Sequence, residues 1–146
     1  MEELMELSLE PGLRATLNYR VPEHRTVPHL LPESDQFTAM PAVLATGYLV
    51  GLVEWTCMQA LVPHIPSDKR TLGVHVDLSH EAPTPPGSTV RIEAVLKTVD
   101  GRRLLFDVTA SDEAAVVCRG THRRAVVDLD RFESAITARR TRPVDA

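Results

Sequence analysis

The chain has 146 residues, and its 16 Lys and Arg against 20 Asp and Glu give a net charge of -4 at pH 7. A chain of this length is expected to form one domain over residues 1–146, with a core at about 10–130 and a solvated C-terminal tail over 131–146. The acidic balance argues against a nucleic-acid partner, because the one basic cluster, Arg139-Arg140-Thr-Arg142, closes the chain.

The first predicted element is a strand over residues 13–21. The two-residue period of a half-buried strand is carried there by five apolar residues, Leu13, Ala15, Leu17, Tyr19 and Val21. Residues 22–42 are rich in Pro, His and Glu and predict a long, partly ordered connection. Connections of that length often form lids or binding loops.

A helix is predicted over residues 41–62, ended by Pro63 and Pro66. Apolar residues fall on nearly every side of it, so we expect an enclosed helix. Gly47 and Gly51 share one face, where a neighbouring backbone or a ligand could approach closely. Tight packing between helix and sheet is the favoured interpretation of these glycines.

Most of the remaining chain predicts strands joined by tight turns. Alternation places strands at 72–78, 90–97, 104–110 and about 115–129, with turns at 83–87, 100–101 and 111–113. One strand, a long loop, one helix and four strands indicate an α+β hotdog fold, a five-stranded antiparallel sheet wrapped around a central helix. Such a sheet leaves a helix flank and an edge strand uncovered, so we expect a homodimer.

Glu54 lies in the middle of the most apolar segment of the chain, residues 43–62. Burying a carboxylate costs several kcal/mol unless it is protonated, hydrogen-bonded or paired. Glu54 is therefore expected either to bond a partner group or to have a functional role. His80 continues the parity of the apolar residues in strand 72–78 and should point toward the helix, whereas His75 should not. His80 is therefore a candidate base oriented by Glu54, although a structural role is equally open.

Thr46 is a candidate nucleophile near the helix start. The alternative is a structural role, in which Thr46 is the N-cap of the helix. Thr46 and Glu54 are eight residues apart, which is about 12 Å along a helix axis. They cannot touch unless Thr46 precedes the helix and the chain turns back, or two copies contribute one residue each. We favour a site at or near a dimer interface.

The other histidines are weaker candidates. His24 and His29 lie in the loop at a spacing that fits no zinc site, and they are interpreted as loop hydrogen-bonding residues. His122 lies among three arginines, which indicates either a polar sheet face or an anion-binding patch for ligand phosphates. No metal site and no Gly-rich phosphate loop is expected.

The two cysteines, Cys57 and Cys118, are far apart in sequence and lack any C-x-x-C or metal-ligand spacing. They are interpreted as reduced core residues of a cytoplasmic protein. The N-terminus is acidic where a secretory signal would be basic, and no run of 18 apolar residues occurs. A cytoplasmic protein without a membrane partner is therefore expected.

Five motifs resemble the family of the fluoroacetyl-CoA thioesterase and its relatives. They are Val27-Pro-His-Leu-Leu-Pro-Glu-Ser34, Ala45-Thr-Gly-Tyr-Leu-Val-Gly-Leu-Val-Glu-Trp-Thr-Cys57, Ser79-His-Glu-Ala-Pro-Thr-Pro-Pro-Gly87, Gly101-Arg-Arg-Leu104 and Gly120-Thr-His-Arg-Arg-Ala-Val126. The likeness covers residues 10 to 133 without a large gap. It implies a dimeric hotdog hydrolase that cleaves a short acyl group from coenzyme A, which enters as part of the substrate and not as a separate cofactor.

The resemblance also implies the catalytic set of the family, which uses a Thr, a Glu and a His. By the matching motifs these are Thr46, Glu54 and His80. It points to Gly73 and Arg124 as residues that help to hold a water or the thioester carbonyl. Arg124 could alternatively serve the phosphates of the coenzyme.

One departure from the family concerns the acyl pocket. In the fluoroacetyl-specific enzyme two phenylalanines in the lid close over the pocket; Phe37 matches one, but the other position is Met40. Met adapts to varied apolar shapes, where an aromatic ring offers a fixed wall. A range of short-chain acyl-CoA substrates is therefore expected, and strict selection for a fluoromethyl group is not.

The expected reaction is thioester hydrolysis, in which His80, oriented by Glu54, activates Thr46 or a water. Backbone N–H groups around Thr46 and Gly47 are expected to stabilise the oxyanion. Two other functions stay open from the sequence. One is a non-catalytic hotdog module that binds acyl-CoA or another hydrophobic small molecule, and the other is a hotdog dehydratase or hydratase acting on a 3-hydroxyacyl thioester.

Overall fold

The computed structural model describes residues 8–141, which form a five-stranded antiparallel sheet and three α-helices. The strands are β1 (Arg14–Arg20), β2 (Lys69–Leu78), β3 (Thr89–Asp100), β4 (Arg103–Ser111) and β5 (Val116–Asp128). The helices are α1 (Asp35–Thr38), α2 (Thr46–Leu61) and α3 (Leu129–Thr141), and short 3-10 turns lie at Glu23–Arg25, Val27–His29 and Val62–His64.

The strands are arranged in the order β1-β3-β4-β5-β2, and every neighbouring pair is antiparallel. The predicted Asp100-Gly101 hairpin joins β3 to β4, and Gly101 has a φ of 60°, which a residue without a Cβ adopts at low cost. Strands β1 and β2 lie at the edges. The predicted α+β fold, a five-stranded sheet around one long helix, is confirmed.

The core lies between α2 and the inner faces of β3 and β4. Every second residue over 90–96 of β3 and 104–110 of β4 is almost completely buried: Val90, Ile92, Ala94, Leu96, Leu104, Phe106, Val108 and Ala110. Helix α2 contributes Leu49, Val53, Cys57 and Leu61 to the same cluster. At roughly 1.5–3 kcal/mol for each large apolar side chain, this burial fixes α2 on the sheet.

Helix α2 begins five residues later than the sequence predicts. The backbone of residues 43–45 is already paired with the preceding loop, because Val27 N–H donates to Val43 C=O and Ala45 N–H donates to Arg25 C=O. Leu44 also forms an isolated β-bridge with Thr26. Since these groups are used in loop pairing, the helix cannot extend back to residue 41.

The prediction of an enclosed helix is wrong for the single described chain. Three apolar side chains of one flank, Trp55, Met58 and Val62, are 45%, 43% and 65% exposed. The sheet covers only the opposite flank. This is the uncovered flank that the fold class predicts.

Strand β2 does not follow the simple alternation predicted for residues 72–78. Its register with β5 shifts between Gly73 and His75, which is a β-bulge, and residues 73–77 are all exposed. The edge position explains this exposure, because α2 leaves this strand largely uncovered.

Residues Leu129–Thr141 form the helix α3, in the region where the sequence predicts a solvated tail. Leu129 N–H donates to Asp68 C=O where α3 begins, and most residues of α3 are exposed. Residues 142–146, and Arg142 with them, lie outside the described residues. Within 8–141, no helix is long and apolar enough to cross a membrane.

Candidate active site

Thr46 and His80 are in direct contact. The Thr46 Oγ1 lies 2.8 Å from the His80 Nδ1. Thr46 is the first residue of α2, the N-cap is Ala45, and Ala45 makes no side-chain capping bond. The N-cap alternative for Thr46 is therefore wrong, because its hydroxyl bonds a histidine.

The position of His80 depends on a short extension of the β2–β5 pairing. Ser79 N–H donates to Arg119 C=O at 2.8 Å and Glu81 N–H donates to Val117 C=O at 2.6 Å. The Ser79 hydroxyl accepts the Arg119 N–H and donates to the Glu81 carboxylate, while Arg119 Nε lies 3.2 Å from that carboxylate. We call these side chains the Ser79 clamp; they fix the backbone on both sides of His80.

The imidazole of His80 is suited to act as a neutral base. Burial lowers the pKa of His80 below its ordinary value of 6.5, so the uncharged ring persists at neutral pH. When the Thr46 hydroxyl donates to Nδ1, the ring proton must reside on Nε2. That Nε2 is buried and has no hydrogen-bond partner among residues 8–141.

The N-terminus of α2 lies beside this pair. The first intrahelical bond runs from Leu49 N–H to Ala45 C=O, so the preceding N–H groups of the first turn are not used within the helix. Together with the helix dipole they can stabilise a negative oxygen. A Cβ at Gly47 would lie 3.0 Å from Leu30 Cδ2, so Gly47 packs against the lid loop and not, as expected, against the sheet.

Gly51 does not pack as predicted either. A Cβ added there would meet no described atom within 4 Å. Gly51 lines a surface pocket of about 200 Å³ together with Tyr19 and Trp55.

Glu54 is paired with Arg124. The Glu54 Oε2 accepts a hydrogen bond from Arg124 Nη1 at 3.0 Å. Arg124 is only 3% exposed, and it also donates from Nε to Thr71 Oγ1 at 3.0 Å and from Nη2 to Thr71 C=O at 2.8 Å. This guanidinium is buried and engaged, so the alternative in which Arg124 serves coenzyme phosphates is not supported.

His122 belongs to the same cluster and lies in the core. It is completely buried, its Nδ1 lies 2.9 Å from His75 C=O, and its Nε2 lies 3.1 Å from Arg124 Nη1. Both alternatives for His122, a polar sheet face and a phosphate patch, are wrong. Residues 122, 124 and 126 share the inner face of β5, whereas Arg123 points outward.

Gly73 provides the space for the Glu54 carboxylate. A Cβ at Gly73 would overlap that carboxylate and would lie 3.1 Å from His122 Cε1. The structure thus brings Glu54, Gly73 and Arg124 together at the β2 bulge. The role that the resemblance implies for Gly73 and Arg124, holding a water or the thioester carbonyl, stays a prediction. We call these residues, with Thr71 and His122, the Glu54 cluster.

The structure does not bring Glu54 to His80 within one chain. In the single chain the Glu54 carboxylate is instead bonded to Arg124, so the role of Glu54 as the group that orients His80 stays a prediction that needs a second copy. Along α2, Thr46 and Glu54 are separated by about 12 Å, as helix geometry requires. Sequence reasoning named His122 but missed its place beside Glu54 and Arg124, for which the available signal is its parity with the apolar Val126.

The lid residues lie around the short helix α1. Ser34 caps α1 by accepting the Phe37 N–H at 3.2 Å. Phe37 is half-buried, and Met40, two residues after α1, is 51% exposed. The lid is therefore ordered locally and presents Met40 to the outside of the single chain.

The cysteines are not candidate nucleophiles. Cys57 and Cys118 are buried and unpaired, as predicted. Burial raises the pKa of Cys57 to about 12 and that of Cys118 to about 11, so both thiols stay protonated. Within the described range no group of three or more His, Cys, Asp and Glu side chains could hold a metal ion.

Comparison with known proteins gives a consistent result. The family model described as fluoroacetyl-CoA-specific thioesterase matches residues 26–130. The fluoroacetyl-CoA thioesterase of Streptantibioticus cattleyicolor is 42% identical over 132 residues, which are 90% of this chain and 95% of that protein.

Solved structures agree with this match. A structure of the fluoroacetyl-CoA thioesterase FlK is 42% identical, with a TM-score of 0.88 over 93% of this chain and 99% of that one. A thioesterase superfamily member from Thermus thermophilus, 20% identical, has a TM-score of 0.80 over 90% and 93% of the two chains, which shows the fold alone. The family model and the curated relative each match well over half of this chain. The chain therefore belongs to the fluoroacetyl-CoA-specific thioesterase family, whose members are thioester hydrolases with a hotdog fold.

Proposed function

We propose that this acyl-CoA thioesterase hydrolyses short-chain acyl-CoA thioesters with Thr46 and His80 as the reacting pair. The observation that carries the proposal is the 2.8 Å contact between Thr46 Oγ1 and His80 Nδ1 at the N-terminus of α2. A hydroxyl is a weak nucleophile without an adjacent base, and here the base is neutral and in contact. No cofactor is required beyond the coenzyme A of the substrate.

In the proposed mechanism, His80 Nδ1 removes a proton from the Thr46 hydroxyl or from a water that this hydroxyl positions. The oxygen attacks the thioester carbonyl, and N–H groups of the first turn of α2, around Thr46 and Gly47, stabilise the oxyanion. Collapse of the tetrahedral intermediate breaks the C–S bond, and His80 returns the proton to the leaving thiolate. If Thr46 attacks, a water then hydrolyses the acyl-enzyme by the same proton route.

The proposed enzyme is a homodimer in which the second copy completes the site. His80 Nε2 requires an acceptor, and the Glu54 carboxylate is 37% exposed in the single chain. A second copy would cover the exposed apolar flank of α2 and the edge strand β2. On this proposal, the residues that cover His80 Nε2 in the single chain move aside when two copies pack, and Glu54 of the partner subunit then accepts the Nε2–H and keeps the ring basic.

We propose that this enzyme accepts a broader range of acyl groups than the fluoroacetyl group in the names of its relatives. Those relatives are fluoroacetyl-CoA thioesterases. Met40 stands in the lid at the position where the resemblance places a phenylalanine, and a flexible thioether accommodates acyl groups of varied shape. The two buried free thiols fit a reducing compartment, and we place the enzyme in the cytoplasm.

A substrate panel with a thiol-trapping dye tests the proposal. Acetyl-CoA, longer acyl-CoAs and fluoroacetyl-CoA are compared for the wild type, Thr46→Ala, His80→Ala and, as a control, the exposed loop variant His24→Ala. We expect a loss in kcat of about 10²–10⁴-fold for His80→Ala, the usual contribution of a general base, and no loss for His24→Ala. Unchanged turnover in His80→Ala would contradict the mechanism.

Two further measurements address the acyl range and the main alternative. Met40→Phe should shift the ratio of fluoroacetyl-CoA to acetyl-CoA turnover in favour of fluoroacetyl-CoA. An unchanged ratio would show that Met40 does not determine which acyl groups the enzyme accepts. Binding of acyl-CoA by the wild type without thiol release would instead support the non-catalytic module.

A further inference from the structure

We propose that His122 is a positioning residue that, as the neutral Nδ1–H tautomer, fixes the Arg124 guanidinium against Glu54. The inference rests on the proposed function, because it concerns the carboxylate that the reaction is proposed to use. His122 touches no reacting atom of Thr46 or His80 in the described contacts. It acts through Arg124.

The hydrogen-bond partners of His122 determine its protonation state. A guanidinium has only donors, so the His122 Nε2 at 3.1 Å from Arg124 Nη1 must be an unprotonated acceptor. A carbonyl oxygen has only lone pairs, so the Nδ1 at 2.9 Å from His75 C=O must carry the proton. Both partners require the same neutral tautomer.

This tautomer completes a set of bonds that holds the guanidinium in one plane. One hydrogen of Arg124 Nη1 goes to Glu54 Oε2 and the other to His122 Nε2, while Nε and Nη2 bond Thr71. Four of the five donors are therefore used. Rotation of the guanidinium away from Glu54 would break bonds to two other residues.

The bond to His75 connects the cluster to the β2 bulge. The bulge lies between Gly73 and His75, and the same segment provides the space for the Glu54 carboxylate. His122 thus joins the backbone that accommodates the carboxylate to the cation that holds it. This explains why a polar ring is retained at a fully buried position.

Charging His122 would disrupt the arrangement. The groups that face it are Arg124 on its own strand, Glu54 from α2, with Oε2 at 4.0 Å from Nε2, and His75 from β2. A proton on Nε2 would oppose the Arg124 N–H and compete with it for Glu54 Oε2. Burial lowers the pKa of His122, in agreement with a ring that stays neutral.

Two matched substitutions separate the two ring nitrogens. His122→Gln can place its amide oxygen near the Nε2 position as an acceptor toward Arg124. His122→Asn can keep a donor toward His75 C=O, but its side chain is too short to place an acceptor near Arg124. We expect His122→Asn to lower kcat about 10- to 100-fold with little change in KM, the scale of a small misplacement of a reacting group. His122→Gln should restore most of that kcat. Equal kcat in the two variants would overturn the proposal.

Nitrogen-15 NMR of the wild-type ring provides the second test, which needs no substrate and no folded variant. We expect a pyrrole-type Nδ1 and a pyridine-type Nε2 for His122. A proton on Nε2 would overturn the proposal, whatever the variants do. If the wild type released no thiol from any acyl-CoA, the proposed function would fail while the NMR result would still establish the tautomer.

Discussion

The Thr46–His80 pair and the Glu54 cluster differ in how firmly they are held. Thr46 and His80 share one side-chain hydrogen bond and lie at a helix start and just past a strand end. In the Glu54 cluster, the Arg124 guanidinium makes four bonds to three residues and is 3% exposed.

This difference corresponds to two roles in the proposed reaction, proton transfer and orientation of the base. A group that moves a proton must exchange hydrogen-bond partners during the reaction, and one bond is easily exchanged. A carboxylate that orients a base must stay fixed, and a buried arginine that uses four of its five donors holds it in place. The following experiments perturb one region while the other serves as the reference.

Gly73→Ala should have the largest effect among these perturbations. The new methyl group would occupy the position of the Glu54 carboxylate and displace it from Arg124. A misplaced orienting group can reduce turnover by about 100-fold, and we expect that loss in kcat with the Thr46–His80 contact retained. Stopped-flow or dye-linked thiol release would measure it.

Gly51→Ala is the matched control for Gly73→Ala. Its Cβ would meet no described atom within 4 Å, and alanine in a helix is favoured over glycine by about 1 kcal/mol. We expect wild-type kcat and an equal or higher melting temperature. Full activity in Gly73→Ala would show that the position of the carboxylate is not important for the reaction.

Arg124→Met should lower stability as well as kcat, because it removes the group that holds the Glu54 carboxylate. It leaves the Glu54 carboxylate and the His122 Nε2 without their donor, which costs about 1–3 kcal/mol for a buried unsatisfied group. The loss should be less than the 3–5 kcal/mol of a fully buried ion pair, because the Glu54 side chain is 37% exposed. Urea denaturation measures the change in the free energy of unfolding.

Arg123→Met, one residue away on the outer face of β5, is the control for Arg124→Met. We expect a change within about 0.5 kcal/mol there, as for most surface substitutions. An equal loss of stability in both variants would mean that the cluster contributes nothing specific.

The pH dependence should separate the two histidines. Burial lowers the pKa of both His80 and His122 below 6.5. The unfolded chain therefore takes up protons near pH 6.5 that the folded chain does not, so stability is fully present above that pH and falls as pH decreases toward the lowered folded-state values. The rate should fall on the acid side with an apparent pKa below 6.5, as the His80 base is protonated.

Substitution assigns each effect to its region. His122→Gln should reduce the acid loss of stability and leave the acid limb of kcat/KM at the wild-type pH. Thermal melts and pH–rate profiles of the same protein batch compare the two. An acid limb of the rate that moved in His122→Gln would contradict the separation.

The elements of the fold differ in how far the sequence predicts them. The buried faces of β3 and β4 follow from a local period of two, and they are where the sequence predicts them. The start of α2 does not, because the pairing of residues 43–45 with the loop is a long-range interaction.

The partner of Glu54 depends on long-range structure in the same way. Strand parity predicts that His80 points toward the helix, and His80 does contact Thr46 at the helix start. Glu54 is bonded to Arg124 instead, since the register of β2 with β5 and its bulge decide which side chains meet. A period read from one strand does not contain that register.

Ser79→Ala should have the smallest effect, because it alters only the clamp beside His80. The variant removes the acceptor of the Arg119 N–H and the donor to Glu81, but both groups are exposed and water can replace the hydroxyl. A lost hydrogen bond of about 0.5–1.5 kcal/mol corresponds to a decrease of roughly two- to tenfold in kcat. The exposed Ser67→Ala variant, on the segment before β2, should show none. If Ser79→Ala reduced kcat as much as His80→Ala, His80 would depend on the clamp for its position, and the Thr46–His80 pair would be as rigidly supported as the Glu54 cluster.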